Sequence, residues 1–80
     1  MAPPRYMQLA EALRAGIARG EPPVGGRLPP EVELAERHGV SRHTAREAIR
    51  LLTDAKLVAR RRGAGTTVIA AQAPHAYVQP

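Results

Sequence analysis

Arg42, Arg46 and Arg50 recur at every fourth position of the segment SRHTAREAIR. On a helix of about 3.6 residues per turn, that spacing stacks the guanidinium groups along one side. Ser41, directly before them, is a favoured helix amino-terminal cap. The first-turn amide donors of a helix lack intrahelical partners, so beside Ser41, Arg42, His43 and Thr44 they form an end suited to phosphate. An arginine fork matches either a phosphate or the edge of a guanine. A threonine hydroxyl can donate to a phosphate, and its methyl can meet a thymine methyl. A second group of cations follows in Arg60-Arg61-Arg62-Gly63-Ala64-Gly65. Its glycines permit a tight hairpin turn with the arginines at its base. Arg62 would track the negative potential of a narrow minor groove, and Gly63 would allow close approach to a nucleic-acid backbone.

Other chemistries lack their residues. Cysteine is absent, which removes disulfides, thiolate nucleophiles and thiolate metal sites. His38, His43 and His75 lack the paired spacing of a metal centre. Glu11, Glu31, Glu33 and Glu36 have no accompanying cleft signal, and helix-end electrostatics plus solubility account for them. The Gly-rich segments have neither the lysine nor the strand context of a nucleotide-binding loop. No catalytic residue, metal ligand or cofactor is expected. Plainer roles also apply at the basic site. Ser41 is first a cap, with phosphate binding as a compatible second role, and Arg50 is either a flanking phosphate contact or a solvated side chain. His43 is ambiguous on its helix, His38 suits a helix end, and Tyr6 suits the core.

The elements that must position these residues follow from periodicity. Eighty residues make one domain with a modest core, burying about 60% of the surface an unfolded chain would expose. Tyr6, Leu9, Leu13 and Ile17, with Ala10, form a helical stripe within 3–19, and Gly20 ends it. The segment EPPVGGRLPP reads as irregular, with Leu28 as an anchor. Pro30 is placed in the first turn of a short helix that carries Glu31 and Glu33 at its start, turns Leu34 and Ala35 inward, and stops at Gly39. Ala45, Ala48, Ile49 and Leu52 make the inward stripe of the third helix, with Glu47 able to steady Arg46 or Arg50. Leu57-Val58 begins one strand and Thr66–Ile69 forms another. The predicted fold is mainly α with a small β-hairpin, a winged helix-turn-helix of three helices plus a wing. It occupies 4–69, with 70–80 as a linker or disordered tail.

The formal net charge is +5, and acidic Glu31, Glu33 and Glu36 precede a cation-rich centre. That asymmetry suits a polyanionic partner. No apolar run approaches the roughly 18 residues of a membrane span, and no Phe- or Trp-bearing amphipathic face suits a membrane surface. The absence of Phe and Trp also argues against base stacking on single strands. Double-stranded RNA is disfavoured because its major groove is too narrow for a helix. A non-catalytic winged-helix module that binds an acidic protein surface is the alternative function.

The order Gly25-x-Arg27-Leu28-Pro29-x-Glu31-x-x-Leu34-Ala35, Gly39-Val40-Ser41-Arg42-x-Thr44-x-Arg46-Glu47-Ala48, Leu52, Leu57-Val58 and Gly63-x-Gly65-Thr66-x-Val68 resembles the amino-terminal domain of the GntR family of bacterial transcriptional regulators. The resemblance spans Tyr6 to Val68. It implies sequence-specific binding of double-stranded operator DNA, usually in repression, as a homodimer on an inverted repeat. It implies a bacterial, cytoplasmic, nucleoid-associated setting. It implies a small-molecule effector only where a separate carboxy-terminal domain exists. By resemblance, Arg42, Thr44 and Arg46 match the recognition-helix contacts, Ser41 the helix start and Gly63 the wing tip. The sequence departs from the family at Pro30 (often Ser), Val32 (usually Arg), Lys56 (usually Gly), Ala64 (commonly Arg or Lys), Thr67 (frequently aromatic) and Arg62 (often Gln or His).

Overall fold

The apolar stripe of the first segment forms α1 (Arg5–Ala18), burying Leu9, Ala10 and Ile17. Tyr6 and Leu13 are only half-buried, so Tyr6 lies at the margin of the core and not within it. The computed structural model describes residues 2–63 and 65–72, which leaves Ala64, His75 and most of the predicted tail outside the described residues. Along the described residues follow α2 (Glu31–His38), α3 (Arg42–Asp54), β1 (Val58–Arg61) and β2 (Gly65–Val68). This is the predicted order of three helices and a wing.

Each boundary has a local cause. Pro30 is the residue before α2, at φ −60° and ψ 157°, and does not enter its first turn. It supplies no side-chain cap, so the carboxylates of Glu31 and Glu33 are left to complement the helix dipole, with Arg37 and His38 at the other end. Gly39 ends α2 in the left-handed region at φ +65°, where a Cβ is disfavoured. Ser41 caps α3 as expected: the Thr44 amide donates to its Oγ at 3.0 Å. Ala45 and Ala48 are wholly buried, and with Ile49 and Leu52 they form the inner side of α3, which packs against α1, α2 and β1. Small side chains at those two positions let the helices approach closely.

In the wing, β1 and β2 are antiparallel, with Val58 opposite Val68 and Arg61 opposite Gly65. Each strand starts one residue from its expected position. Arg60 and Arg61 therefore belong to β1, and only Arg62 and Gly63 of the arginine-glycine run lie in the described part of the turn. The buried pair Val58 and Val68 roots the hairpin in the core beside Leu57.

The segment expected to be irregular does more than anchor Leu28, which is buried as predicted. The Leu28 amide donates to the Thr66 carbonyl at 2.9 Å, the Gly25 amide to the Val68 carbonyl at 2.9 Å, and the Val68 amide to the Gly26 carbonyl at 2.8 Å. Arg27 and Thr67 form an isolated antiparallel bridge. β2 is thus bonded on both edges, and the wing is tied to the chain ahead of α2.

Candidate nucleic-acid interface

The amino-terminal half of α3 collects most of the predicted residues. At about 100° per residue, Arg42, Arg46, Arg50 and His43 occupy an arc of about 100°. All four are exposed, on the side of the helix away from Ala45 and Ala48. Thr44 is half-buried and belongs to the cap: the Ser41 hydroxyl donates to its Oγ1 at 3.0 Å. Ser41 and Thr44 therefore form the end of the helix, while the cations line its flank. Neither group is placed by chance, since the first follows from the cap and the second from the apolar stripe opposite.

Three ion pairs organise the arginines. Arg50 Nη1 lies 3.4 Å from Glu47 Oε1, which decides between the two partners considered for Glu47. Arg46 instead turns Nε towards Glu31 Oε1, also at 3.4 Å. The second oxygen of the same carboxylate accepts from Arg60 Nη2 at 2.8 Å. Glu31 thus joins the first residue of α2 to both the third helix and strand β1. Its side chain is 23% exposed, whereas those of Arg46 and Arg60 are 54% and 64% exposed. Sequence reasoning gave Glu31 only a helix-end role and assigned Arg60 no partner. The two residues are 29 positions apart, beyond the reach of any local pattern.

An open groove of about 650 Å³ separates the start of α2 from the wing, with Leu28, Pro30, Glu31, Ile49, Arg60 and Thr66 among its walls. Arg62 and Gly63 stand exposed beyond it in the turn after β1. Gly63 has φ +78°, so the turn needs the freedom of glycine there. Arg60, three residues before Gly63, is the hairpin arginine that reaches back to the helices. The resulting surface is cationic, convex along α3 and concave beside the wing. It offers donors at a helix end and guanidinium forks along its flank, the complement of phosphates and base edges. Among the described residues, no group of three or more His, Cys, Asp or Glu could hold a metal ion. None of the described helices is long and apolar enough to cross a membrane.

Residues 5–68 match the family model of the bacterial regulatory proteins of the gntR family. The chain belongs to the GntR family. Its family and fold are those of DNA-binding regulators and not of enzymes. An HTH-type transcriptional regulator of Mycobacterium tuberculosis is 49% identical over 65 residues, covering 81% of this chain and 24% of that protein. The mannosyl-D-glycerate transport/metabolism system repressor of Escherichia coli is 43% identical over 65 residues, covering 81% of this chain and 27% of the repressor. The chain therefore spans about a quarter of the length of these GntR relatives. Among solved structures, the DNA-binding domain of AraR in complex with an operator superposes with a TM-score of 0.80 at 37% identity, over 85% of this chain and 83% of that one. BusR of S. agalactiae, in complex with its busAB-promotor DNA, gives 0.79 at 27% identity, over 88% and 34%.

Proposed function

We propose that this GntR domain reads double-stranded operator DNA by inserting the amino-terminal half of α3 into the major groove. The observation that carries the proposal is the arrangement of that helix: a Ser41 cap at its end, exposed Arg42, His43 and Arg46 on one flank, and a fully packed opposite side. The helix is rigidly backed, so its forks are presented at fixed positions. Arg42 and Arg46 are the base-edge or phosphate contacts. Ser41, Thr44 and the first-turn amides hold a phosphate, and Arg50 flanks the site on the backbone. His43 shares the exposed flank and contacts the same duplex. Arg62 and Gly63 carry the wing to the adjacent minor groove.

The operator complexes of AraR and the promoter complex of BusR support duplex DNA as the partner. The repressor name of the E. coli relative supports repression as the sign of regulation. The full-length regulator, on this proposal, is a homodimer on an inverted repeat with half-sites about one helical turn, or a multiple of it, apart. Where the regulator has a further domain, of the kind those longer relatives have room for, a small-molecule effector acts through it. The regulator works at the chromosome, in the bacterial cytoplasm, and the DNA-binding unit comprises 4–69.

Fluorescence anisotropy with a labelled DNA duplex and the corresponding RNA duplex, at several salt concentrations, tests this. The expected result is binding to DNA that weakens steeply as salt rises, with RNA much weaker. Equal binding to both would contradict the proposal in favour of non-selective attraction to phosphate, and binding to neither would favour a protein-interaction module.

A further inference from the structure

We infer that Glu31 is a specificity-determining residue, a single carboxylate that orients Arg46 for reading bases and lowers attraction to DNA of any sequence. The inference rests on the interface proposed above. The ion pairs of Arg14, Arg19, Arg37 and Arg50 join residues two to four positions apart, as helix surfaces and turns do by default. Glu31 is different. Its two oxygens meet arginines 15 and 29 positions away, one on α3 and one on the wing.

Two consequences follow from the geometry. First, the contact to Arg46 engages Nε and does not consume the terminal nitrogens, which are the pair that fits a guanine edge. A fork steadied before DNA arrives loses less freedom on binding, and the gain accrues to the base that fits the fixed orientation. Second, Glu31 reduces the combined charge of the Arg46–Glu31–Arg60 group from +2 to +1. A phosphate backbone attracts cations regardless of sequence, so an acidic group at this place lowers affinity for every duplex and leaves discrimination to the orientation of Arg46. Glu31 therefore raises the ratio of specific to non-specific affinity, and it does so by coupling the recognition helix to the wing.

The test uses the whole chain, a duplex recovered by it from a random library, and a scrambled duplex of the same composition. Glu31→Gln keeps the size of the side chain and removes its charge. Glu36→Gln, at an exposed position of the same helix, removes the same charge away from the clasp. Glu31→Gln should tighten binding to the scrambled duplex about fivefold at low salt and steepen its salt slope by about one. It should lower the specific-to-scrambled ratio about tenfold, while Glu36→Gln keeps that ratio within about twofold. An unchanged ratio in Glu31→Gln, or an equal fall in Glu36→Gln, would overturn the inference while leaving the DNA-reading function intact. Failure of the unaltered chain to enrich or bind any duplex would overturn both. Circular dichroism checks the fold. Should Glu31→Gln lose its helical signal, Glu31→Asp replaces it: the charge stays, but the side chain is one methylene too short to span both arginines. The same fall in ratio is then expected, and a ratio equal to that of the unaltered chain would refute the clasp.

Discussion

The third helix and the wing bring cations to one surface by opposite means. α3 is backed along its length by Ala45, Ala48, Ile49 and Leu52, all buried. The backbone positions of its arginines are consequently fixed by the core, while their exposed side chains are steadied only by ion pairs. The wing consists of two four-residue strands, rooted by Val58 and Val68 and exposed from Arg60 through Gly65 wherever described. What holds it is backbone pairing to Gly25–Leu28 and the Arg60–Glu31 contact. A rigidly packed helix suits discrimination among bases, which demands fixed geometry. A shallow hairpin suits the backbone and the minor groove, where the available pattern is degenerate and electrostatic. The two regions should therefore fail differently when altered.

The largest effects are expected on α3. Arg42→Ala and Arg46→Ala should each cost about 1–3 kcal/mol of specific duplex binding, with the helical circular dichroism signal preserved. Anisotropy titrations of the recovered and scrambled duplexes measure this. Loss of equal size on both duplexes would reduce these residues to phosphate contacts. A smaller and less selective effect is expected at the wing. Arg62→Ala should weaken all duplexes several-fold and reduce the salt slope by about one. A selective loss there would erase the proposed division of labour.

The joint between the two regions offers a sharper comparison. Lys56 lies between α3 and β1 at φ +65°, the one described non-glycine residue in the left-handed region. Lys56→Gly should raise stability by about 1 kcal/mol, and Gly39→Ala, at φ +65° before α3, should lower it by about as much. Thermal unfolding reads both, as shifts of roughly 4–8 °C in a domain of this size. Neither substitution touches an interface side chain, so specificity should persist in both. The smallest effect is expected on α1. There the Arg14 guanidinium donates to Glu11 and holds its carboxyl below the ordinary value. A depressed folded-state value means the contribution is present above the unfolded value and is lost as pH falls through the folded one. Glu11→Gln should therefore slightly flatten the acid limb of the stability profile and leave DNA binding unchanged. The pair is largely exposed, so solvent screening keeps the change small.

The same contrast explains what was legible in the sequence. The cap at Ser41, the stop at Gly39 and the inner face of α3 all depend on residues within a few positions of one another, and each could be read from spacing. The exposed flank of arginines followed because it is what remains of the helix once the apolar side is assigned. The wing is legible in its glycines and β-branched residues, but each strand starts one residue from its expected position, since the extent of short strands is set by their anchors in the core. The added pairing of Gly25–Leu28 with β2, and the bridging by Glu31, had no local signal at all. Pro-Gly-rich segments read as irregular because turn residues dominate them, and a backbone bond to a strand some forty positions later leaves no mark on their composition. Glu31 could be read as a helix-end carboxylate, and that is correct as far as it goes. Its second role depends on the chain having already brought α2, α3 and β1 together.

Selection from a random duplex library at a stated salt concentration, with the unaltered chain and with Arg42→Ala and Arg46→Ala in parallel, tests whether α3 reads DNA sequence. If α3 reads the bases, the unaltered chain enriches a defined sequence and both variants lose it. No enrichment, or the same sequence recovered equally by the variants, would contradict the assignment of α3 as the element that reads DNA.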